Sequence, residues 1–305
     1  VSRSESQSES HDGHCGLVAI VGRPNTGKST LLNALIGEKI SIVTDKPHTT
    51  RQRVLGVLNR NGDQAVFIDT PGHARRTKRA LHRLMSRQIH QALEDCDLAL
   101  LVVEAPGLTA QDRALIRLLE PRLERTFLVV NKIDTLAGKT ELLPLLDSLA
   151  AQPFAAMIPV SARTGVNLDH LVAQIFEHLP KGPALFPKGV VTDRDLAFRV
   201  AEVIREKLMV LVHQEVPYGL TVEVEHIGRN EEGQRLVHGL IWLERESQKS
   251  IVIGKGGAVL KQAGTEARRE LAEMLGERVH VELWVKVRER WADSERELKR
   301  FGFDV

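Results

Sequence analysis

A chain of 305 residues with an apolar fraction of 42% has material for about two domains, each with its own core. Its formal net charge of +2 names no partner, and the half from Lys188 onward is itself nearly balanced, so any nucleic-acid site must be a local patch and not a global field. No apolar run approaches the ~20 residues of a membrane span, and the Ser- and Glu-rich start lacks the apolar centre of a signal peptide.

Residues 1–14 read as a disordered extension, polar throughout Val1–Asp12. Cys15 and Cys96 share no metal or redox spacing and are expected as packing residues in a reducing cytosol. The apolar run Leu17–Val21 is followed by Gly22-Arg23-Pro24-Asn25-Thr26-Gly27-Lys28-Ser29-Thr30, then by a helical pattern with Leu31, Leu32, Leu35 and Ile36 on one side. Strand, glycine-rich turn and helix are the context of a phosphate-binding P-loop. Gly22 and Gly27 let backbone N–H groups converge on a phosphate chain at a helix N-terminus. Lys28 would reach the β- and γ-phosphates, and the Ser29 hydroxyl would ligate Mg²⁺.

The next segment, Glu38 to Arg53, is polar, lacks a period and reads as a mobile loop. Strands Arg53–Leu58 and Gln64–Asp69 flank Asn61-Gly62, a strong hairpin signal. Asp69-Thr70-Pro71-Gly72 ends the second of them. A carboxylate there can hold Mg²⁺ through water, and the Gly72 N–H can meet the γ-phosphate. The runs Leu98–Val103, Phe127–Val130 and Met157–Val160 look like buried parallel strands, with helices near Lys78–Leu93, Ala110–Leu119, Thr140–Leu149 and Leu168–Leu179. The expected fold is a doubly wound α/β sheet with one antiparallel strand.

After the strand Phe127–Val130 comes Asn131-Lys132-Ile133-Asp134. A carboxylate at Asp134 accepts from guanine N1–H and the exocyclic amine, a pair that adenine cannot supply. Asn131 can address the opposite edge of the base, and the Lys132 stem can lie on the ring face. Val160-Ser161-Ala162 ends the last strand, where backbone N–H groups could receive guanine O6. In this order the motifs specify a guanine-nucleotide switch. Thr49-Thr50 would form the first switch, with the Thr50 hydroxyl joining Ser29 and Asp69 around Mg²⁺, and the segment after Gly72 the second.

Pro180-Lys181-Gly182-Pro183 and Pro187-Lys188-Gly189 mark a linker. A helix over Arg194–His213, strands Leu220–His226 and Leu236–Leu243, a short segment Gln248–Ile253, a helix Ala258–Leu275 and a strand Val279–Val287 follow. Gly254-Lys255-Gly256-Gly257 stands before the long helix. Its glycines leave room for a nucleic-acid backbone, Lys255 adds charge, and the helix N-terminus faces phosphate. Lys261, Arg268 and Arg269 can add phosphate contacts, or form a mixed solvated face with Glu266 and Glu270. Ile251 and Ile253 either line a base-binding groove or belong to the core. Trp291, Phe301 and Phe303 either stack on bases or pin the tail.

Gly-Arg-Pro-Asn-x-Gly-Lys-Ser, Thr-Thr-Arg before the hairpin, Asp-Thr-Pro-Gly, Asn-Lys-Ile-Asp and Ile-Gly-Lys-Gly-Gly together resemble the Era family of bacterial ribosome-assembly GTPases. The resemblance implies a G domain over residues 15–180, a linker over 181–192, an α+β type II KH domain over 193–290 and a tail over 291–305 that contacts RNA. It implies slow, Mg²⁺-dependent GTP hydrolysis. It also places Asn25 in a subgroup whose P-loop asparagine helps hold K⁺, with an ordinary turn residue as the other reading. The implied partners are the 3′ region of 16S rRNA and the 30S precursor, bound by a cytoplasmic monomer with some peripheral association with the inner membrane. The residue after Gly72 is His73, where other GTPases carry a glutamine that orients water; Era-like proteins also lack it, and no catalytic base is assigned, with Lys28 and Thr50 as supporting groups. Arg75 to Arg79 read as a solvated helix start or as a docking patch. A signalling GTPase whose rear domain binds a protein or membrane is the competing function.

Overall fold

The alternation of apolar runs and amphipathic stretches folds into two sheets, in a computed structural model that describes residues 13–72, 79–213 and 216–304. The first sheet begins with β1 (Gly13–Val21), which passes through the P-loop into α1 (Lys28–Ile36). β2 (Val54–Arg60) and β3 (Asp63–Asp69) form the expected hairpin, with Asn61 and Gly62 at φ 55° and 98°. Then come α2 (Ala80–Asp95), β4 (Leu98–Glu104), α3 (Ala110–Leu119), β5 (Thr126–Asn131), α4 (Leu143–Leu149), β6 (Ala156–Pro159) and α5 (Leu168–His178). Strand order is β2-β3-β1-β4-β5-β6, and β2 alone on that path runs antiparallel to its neighbour. Two buried clusters lie on the two faces: one centred on Leu31, Phe67, Phe127 and Ile175, the other on Ile89, Leu101, Leu115 and Leu128. With helices on both faces, the loops at the carboxyl ends of the parallel strands are left to bind ligand.

β1 starts two residues inside the stretch expected to be disordered. His14 is held there by its N–H to Asp63 Oδ1 at 2.7 Å and by its Nδ1 beside the Leu179 carbonyl at 2.8 Å, and Gly13 and His14 pair with β7 (Lys181–Gly182). The linker continues along the hairpin. The Gln64 side chain accepts from Leu185 N and Phe186 N and donates to Phe186 O, and Val57 N donates to Val191 O.

The second sheet has order β10-β9-β8. α6 (Leu196–Leu211) leads to β8 (Leu220–Arg229) and β9 (Arg235–Leu243). α7 (Glu246–Ile253), α8 (Ala258–Leu275) and β10 (Val279–Val287) follow. α6 and α8 close one face over Val200, Ile204, Val237, Ile241 and Leu271. This is the α-β-β-α-α-β order of a type II KH domain, with the short segment before the glycines forming a helix. After it, α9 (Glu295–Arg300) folds back onto α2: Trp291, Leu298 and Phe303 share a buried cluster with Leu81, Leu84 and Met85. These contacts pin the tail, the second of the two readings of its aromatics. Trp291 is 0% and Phe303 4% exposed, so neither ring is free to stack on a base. Cys15 and Cys96 are buried free thiols.

Candidate guanine-nucleotide site

Between β1 and α1 the backbone curls around a cavity of about 420 Å³ bordered by Pro24, Gly27, Lys28, Ser29, Thr50, Gly72 and Lys132. Gly27 has φ 91°, and a Cβ there would stand 2.4 Å from the Asn131 amide nitrogen, so the loop passes this point only without a side chain. Thr26 and Lys28 are buried, and the Lys28 ammonium donates to the carbonyls of Gly22 (3.1 Å) and Arg23 (2.9 Å). Burial pulls the Lys28 pKa down to about 8, partly offset by Asp69, which makes a phosphate charge a favourable neighbour. Thr30 continues the first turn of α1.

The three oxygens expected around Mg²⁺ converge although they come from three segments. Ser29 Oγ lies 2.8 Å from Thr50 Oγ1 and 2.8 Å from Asp69 Oδ2, and Thr50 Oγ1 lies 3.4 Å from that same oxygen. Asp69 is fully buried, and among the described residues its Oδ1 has no hydrogen-bond partner. Burial pushes the carboxyl pKa up, while Lys28 and the hydroxyls of Ser29, Ser41 and Thr50 counter it. A buried carboxylate with an unpartnered oxygen, flanked by two hydroxyls, suits a hard dication that takes its remaining ligands from phosphate and water. Among the described residues no cluster of three or more His, Cys, Asp or Glu could hold a metal by itself. Thr70 anchors the β3 end by donating to Ile20 O at 2.8 Å, and Gly72 lies against Pro24, where a Cβ would be 2.9 Å away; Pro71 joins the two. His73 and Arg75 to Lys78 lie outside the described residues.

The base-reading residues arrive from β5 and β6. Asn131 donates to Thr26 O at 2.8 Å and accepts from Ala162 N at 3.0 Å, tying together the P-loop and the loop after β6. Asp134 takes Ser161 Oγ at 2.5 Å and Arg163 Nη2 at 2.5 Å. The Ser161 hydrogen bond is the main reason its carboxyl pKa lies below the usual range, so the acceptor is a carboxylate at neutral pH. The N–H groups of Val160, Ser161 and Ala162 all donate within the protein, to Val130 O, Val166 O and Asn131 Oδ1. Sequence reasoning also missed Glu104, Asp112 and Arg163, whose only signal was charge. Arg23 donates to Glu104 Oε2 (2.7 Å) and Asp112 Oδ2 (3.3 Å), and Lys132 Nζ stands 3.0 Å from Glu104 Oε1. Asn25, in the left-handed region at φ 65°, donates to Asp45 O at 2.6 Å and so links the P-loop to the switch loop.

That switch loop, expected to be mobile, is wedged between the two domains. Glu206 of α6 accepts from Val43 N (2.8 Å) and Lys39 (2.6 Å), and Glu270 of α8 accepts from Lys39 at 2.5 Å. The Lys46 ammonium caps the carbonyls of Met209, Val210 and Val212 at the end of α6, where the helix dipole favours a cation. Arg205 donates to Thr49 O at 2.5 Å. Arg51, 3% exposed, donates to the carbonyls of Leu220 (2.5 Å), Pro217 (2.6 Å) and Tyr218 (3.2 Å). The His48 ring stacks on His82 of α2 at 5.0 Å and meets Tyr218 edge-on. Arg79, the described end of the basic run, docks within the molecule, 3.1 Å from Glu244.

In the KH domain Gly254, Gly256 and Gly257 have φ of 75°, 61° and 80°, and Lys255 is exposed at the tip between α7 and α8. A Cβ on Gly254 would meet Val259 N at 2.9 Å. Lys261 and Arg268 are exposed on α8, and Ile251 is 46% exposed beside the loop.

The family described as 50S ribosome-binding GTPase matches residues 17–132, and the KH domain family matches residues 215–292. GTPase Era of Yersinia pestis (strain Pestoides F) is 44% identical over 297 residues, covering 97% of this chain and 98% of that protein. Two crystal structures superpose with a TM-score of 0.92, each covering 96% of this chain and all of the other. One is an Aquifex aeolicus Era variant bound to GDP·AlF4⁻, at 39% identity; the other is Era in complex with MgGDPNP and nucleotides 1506–1542 of 16S ribosomal RNA, at 38%. Identity at this level along nearly the whole of both chains leaves one conclusion: the chain belongs to the Era family of GTPases.

Proposed function

We propose that this protein is a ribosome-assembly switch, in which GTP occupancy of the front domain sets how the KH domain presents its Gly-Lys-Gly-Gly loop to the 3′ region of 16S rRNA on the 30S precursor. One observation carries the reading: the loop that brings the Thr50 hydroxyl to Ser29 and Asp69 is the loop that holds the KH domain through Lys39, Lys46, Thr49 and Arg51. The RNA-bound relative, alike along the full chain, supports the same assignment.

In this mechanism Asp134 reads the guanine edge, and Lys28 with the P-loop N–H groups holds the phosphates. Ser29, Thr50 and Asp69 would hold Mg²⁺, which would supply positive charge to offset that of the phosphates. Thr50 senses the γ-phosphate end, and Gly72 N–H approaches it from the other side. With no glutamine after Gly72, hydrolysis is slow and rests on positioning and electrostatics. The Asn25 amide beside Asp45 O is the place where K⁺ would bind, so turnover would be faster in K⁺ than in Na⁺. The protein acts as a cytoplasmic monomer. No helix among the described residues is long and apolar enough to cross a membrane, so any inner-membrane contact in this proposal is peripheral.

The test is binding of a labelled 16S 3′-end RNA with a GTP analogue or GDP, across salt. The GTP-analogue form should bind more tightly, and affinity should fall steeply with salt because phosphate contacts release counterions. Lys255→Glu with Gly256→Asp, at an exposed side chain and at a left-handed glycine whose added Cβ would meet nothing within 4 Å, should lower affinity at least tenfold and leave GTP turnover intact. Equal RNA affinity in both nucleotide forms, or a flat salt dependence, would overturn the proposal.

A further inference from the structure

The motif residues account for contacts to the base and to the phosphates, but not for what fixes the distance between the two loops that carry them. Glu104, the last residue of β4, stands between those loops. Its Oε2 receives Arg23 of the P-loop at 2.7 Å, and its Oε1 faces the ammonium of Lys132 of the base loop at 3.0 Å. One carboxylate thus spends one oxygen on each loop. Arg23 is steadied from behind by Asp112, which is fully buried and locked into the capping box at the start of α3 with Thr109. Lys132 itself stands in the left-handed region at φ 65°. A continuous chain of ion pairs thus runs from α3 through Asp112, Arg23 and Glu104 to Lys132. Burial works against the Glu104 carboxylate, but the hydrogen bonds from Lys132 and Arg23 outweigh it and leave its pKa below the usual range.

We propose that Glu104 is a positioning residue for guanine nucleotide: its two oxygens hold the phosphate loop and the base loop at the spacing that one nucleotide spans. This deepens the guanine-nucleotide reading above and depends on it. A preset spacing raises affinity by sparing the ligand the cost of ordering two loops. It matters only for a ligand that engages both loops at once. Pyrophosphate and guanosine each occupy one loop, so neither draws on the tie.

The experiment compares wild type with Glu104→Gln and Glu104→Asp. A fluorescent GDP is titrated, and guanosine and pyrophosphate are used as competitors. Glutamine keeps the shape, but its amide nitrogen cannot accept from a cation; aspartate keeps the charge and is one methylene too short to serve both loops. Glu104→Gln should weaken GDP about tenfold, equal to about 1.4 kcal/mol, and raise KM for GTP more than it lowers kcat. Pyrophosphate and guanosine should shift less than twofold, and Glu104→Asp should fall between wild type and Glu104→Gln. GDP affinity within twofold of wild type in Glu104→Gln would overturn the proposal, as would equal weakening of GDP, guanosine and pyrophosphate, the mark of a merely structural role. If wild type itself failed to bind GDP, the guanine-nucleotide reading would fall instead, so the two failures are distinct.

Discussion

Arg51→Ala should uncouple the KH domain from the nucleotide site. Arg51 is the residue after the metal-side hydroxyl of Thr50, and its guanidinium is buried against three KH carbonyls, two of them within 2.6 Å. Hydrogen bonds from a charged donor contribute about 1.5–3 kcal/mol each. Burial takes part of that back: it pulls the Arg51 pKa down to about 9, with neighbouring Arg205 adding to the effect. The group remains a cation at neutral pH. With that offset, losing the two short bonds to Leu220 and Pro217 leaves a net loss in domain docking of about 3 kcal/mol, roughly a hundredfold in the docked-to-free ratio. Small-angle scattering should show a larger radius for the variant, and calorimetry should resolve two melting steps. Arg51→Lys, with the charge but without the planar fork, should lie between. One melting step and an unchanged radius for Arg51→Ala would refute the reasoning.

Three further outcomes follow from the same contacts. The pKa of His48 is lowered to about 4 by burial first, then by His82, Arg51 and Lys28. Its contribution to switch-loop docking is therefore whole above the unfolded value near 6.5 and is lost as pH falls through 6.5 toward 4, by about 2 kcal/mol after allowing for solvent screening of a partly exposed ring. A pH series of melting temperatures should show His48→Gln flattening that slope; an equal slope in both proteins would count against it. Asp134→Asn should move preference from GTP toward xanthosine triphosphate, read by competition binding, and unchanged GTP preference would defeat the base assignment. Gly27→Ala meets both a left-handed backbone, costing about 1–2 kcal/mol, and the Asn131 amide. It should lower GDP affinity more than tenfold by calorimetry, and near-wild-type binding would show that the loop yields there.

What could be read from the sequence was what is local. α3 falls at Ala110–Leu119 because Thr109 and Asp112 write a capping box, and α8 falls at Ala258–Leu275 between glycines in the left-handed region at both ends. The nucleotide motifs were legible because each follows a strand that the pattern of apolar residues already marked. The switch loop was not: its polar residues find their partners more than 150 positions away, as Lys46 does at Met209 and Arg51 at Leu220. For the same reason the sequence left the tail aromatics open between stacking on RNA and pinning the tail, since nothing near Trp291 in the chain reports that α2 will cover it. Asn131 shows the limit within a motif: its type was legible, but its hold on Thr26 O and Ala162 N depends on three strands arriving together.

The stretch between the domains is clasped and does not swing. Gln64 grips it at Leu185 and Phe186, β2 takes it at Val191 and Thr192, and Leu55 N reaches Asp193 at 3.1 Å, so only a residue or two remains before α6 begins at Leu196. The rear domain is thus a door on a pin and not a kite on a string. Once its latch opens it turns through a narrow arc and never leaves the neighbourhood, which keeps the local concentration of each face for the other very high. Re-closing should then be fast and first order, set by the nucleotide and indifferent to how much of the protein is present.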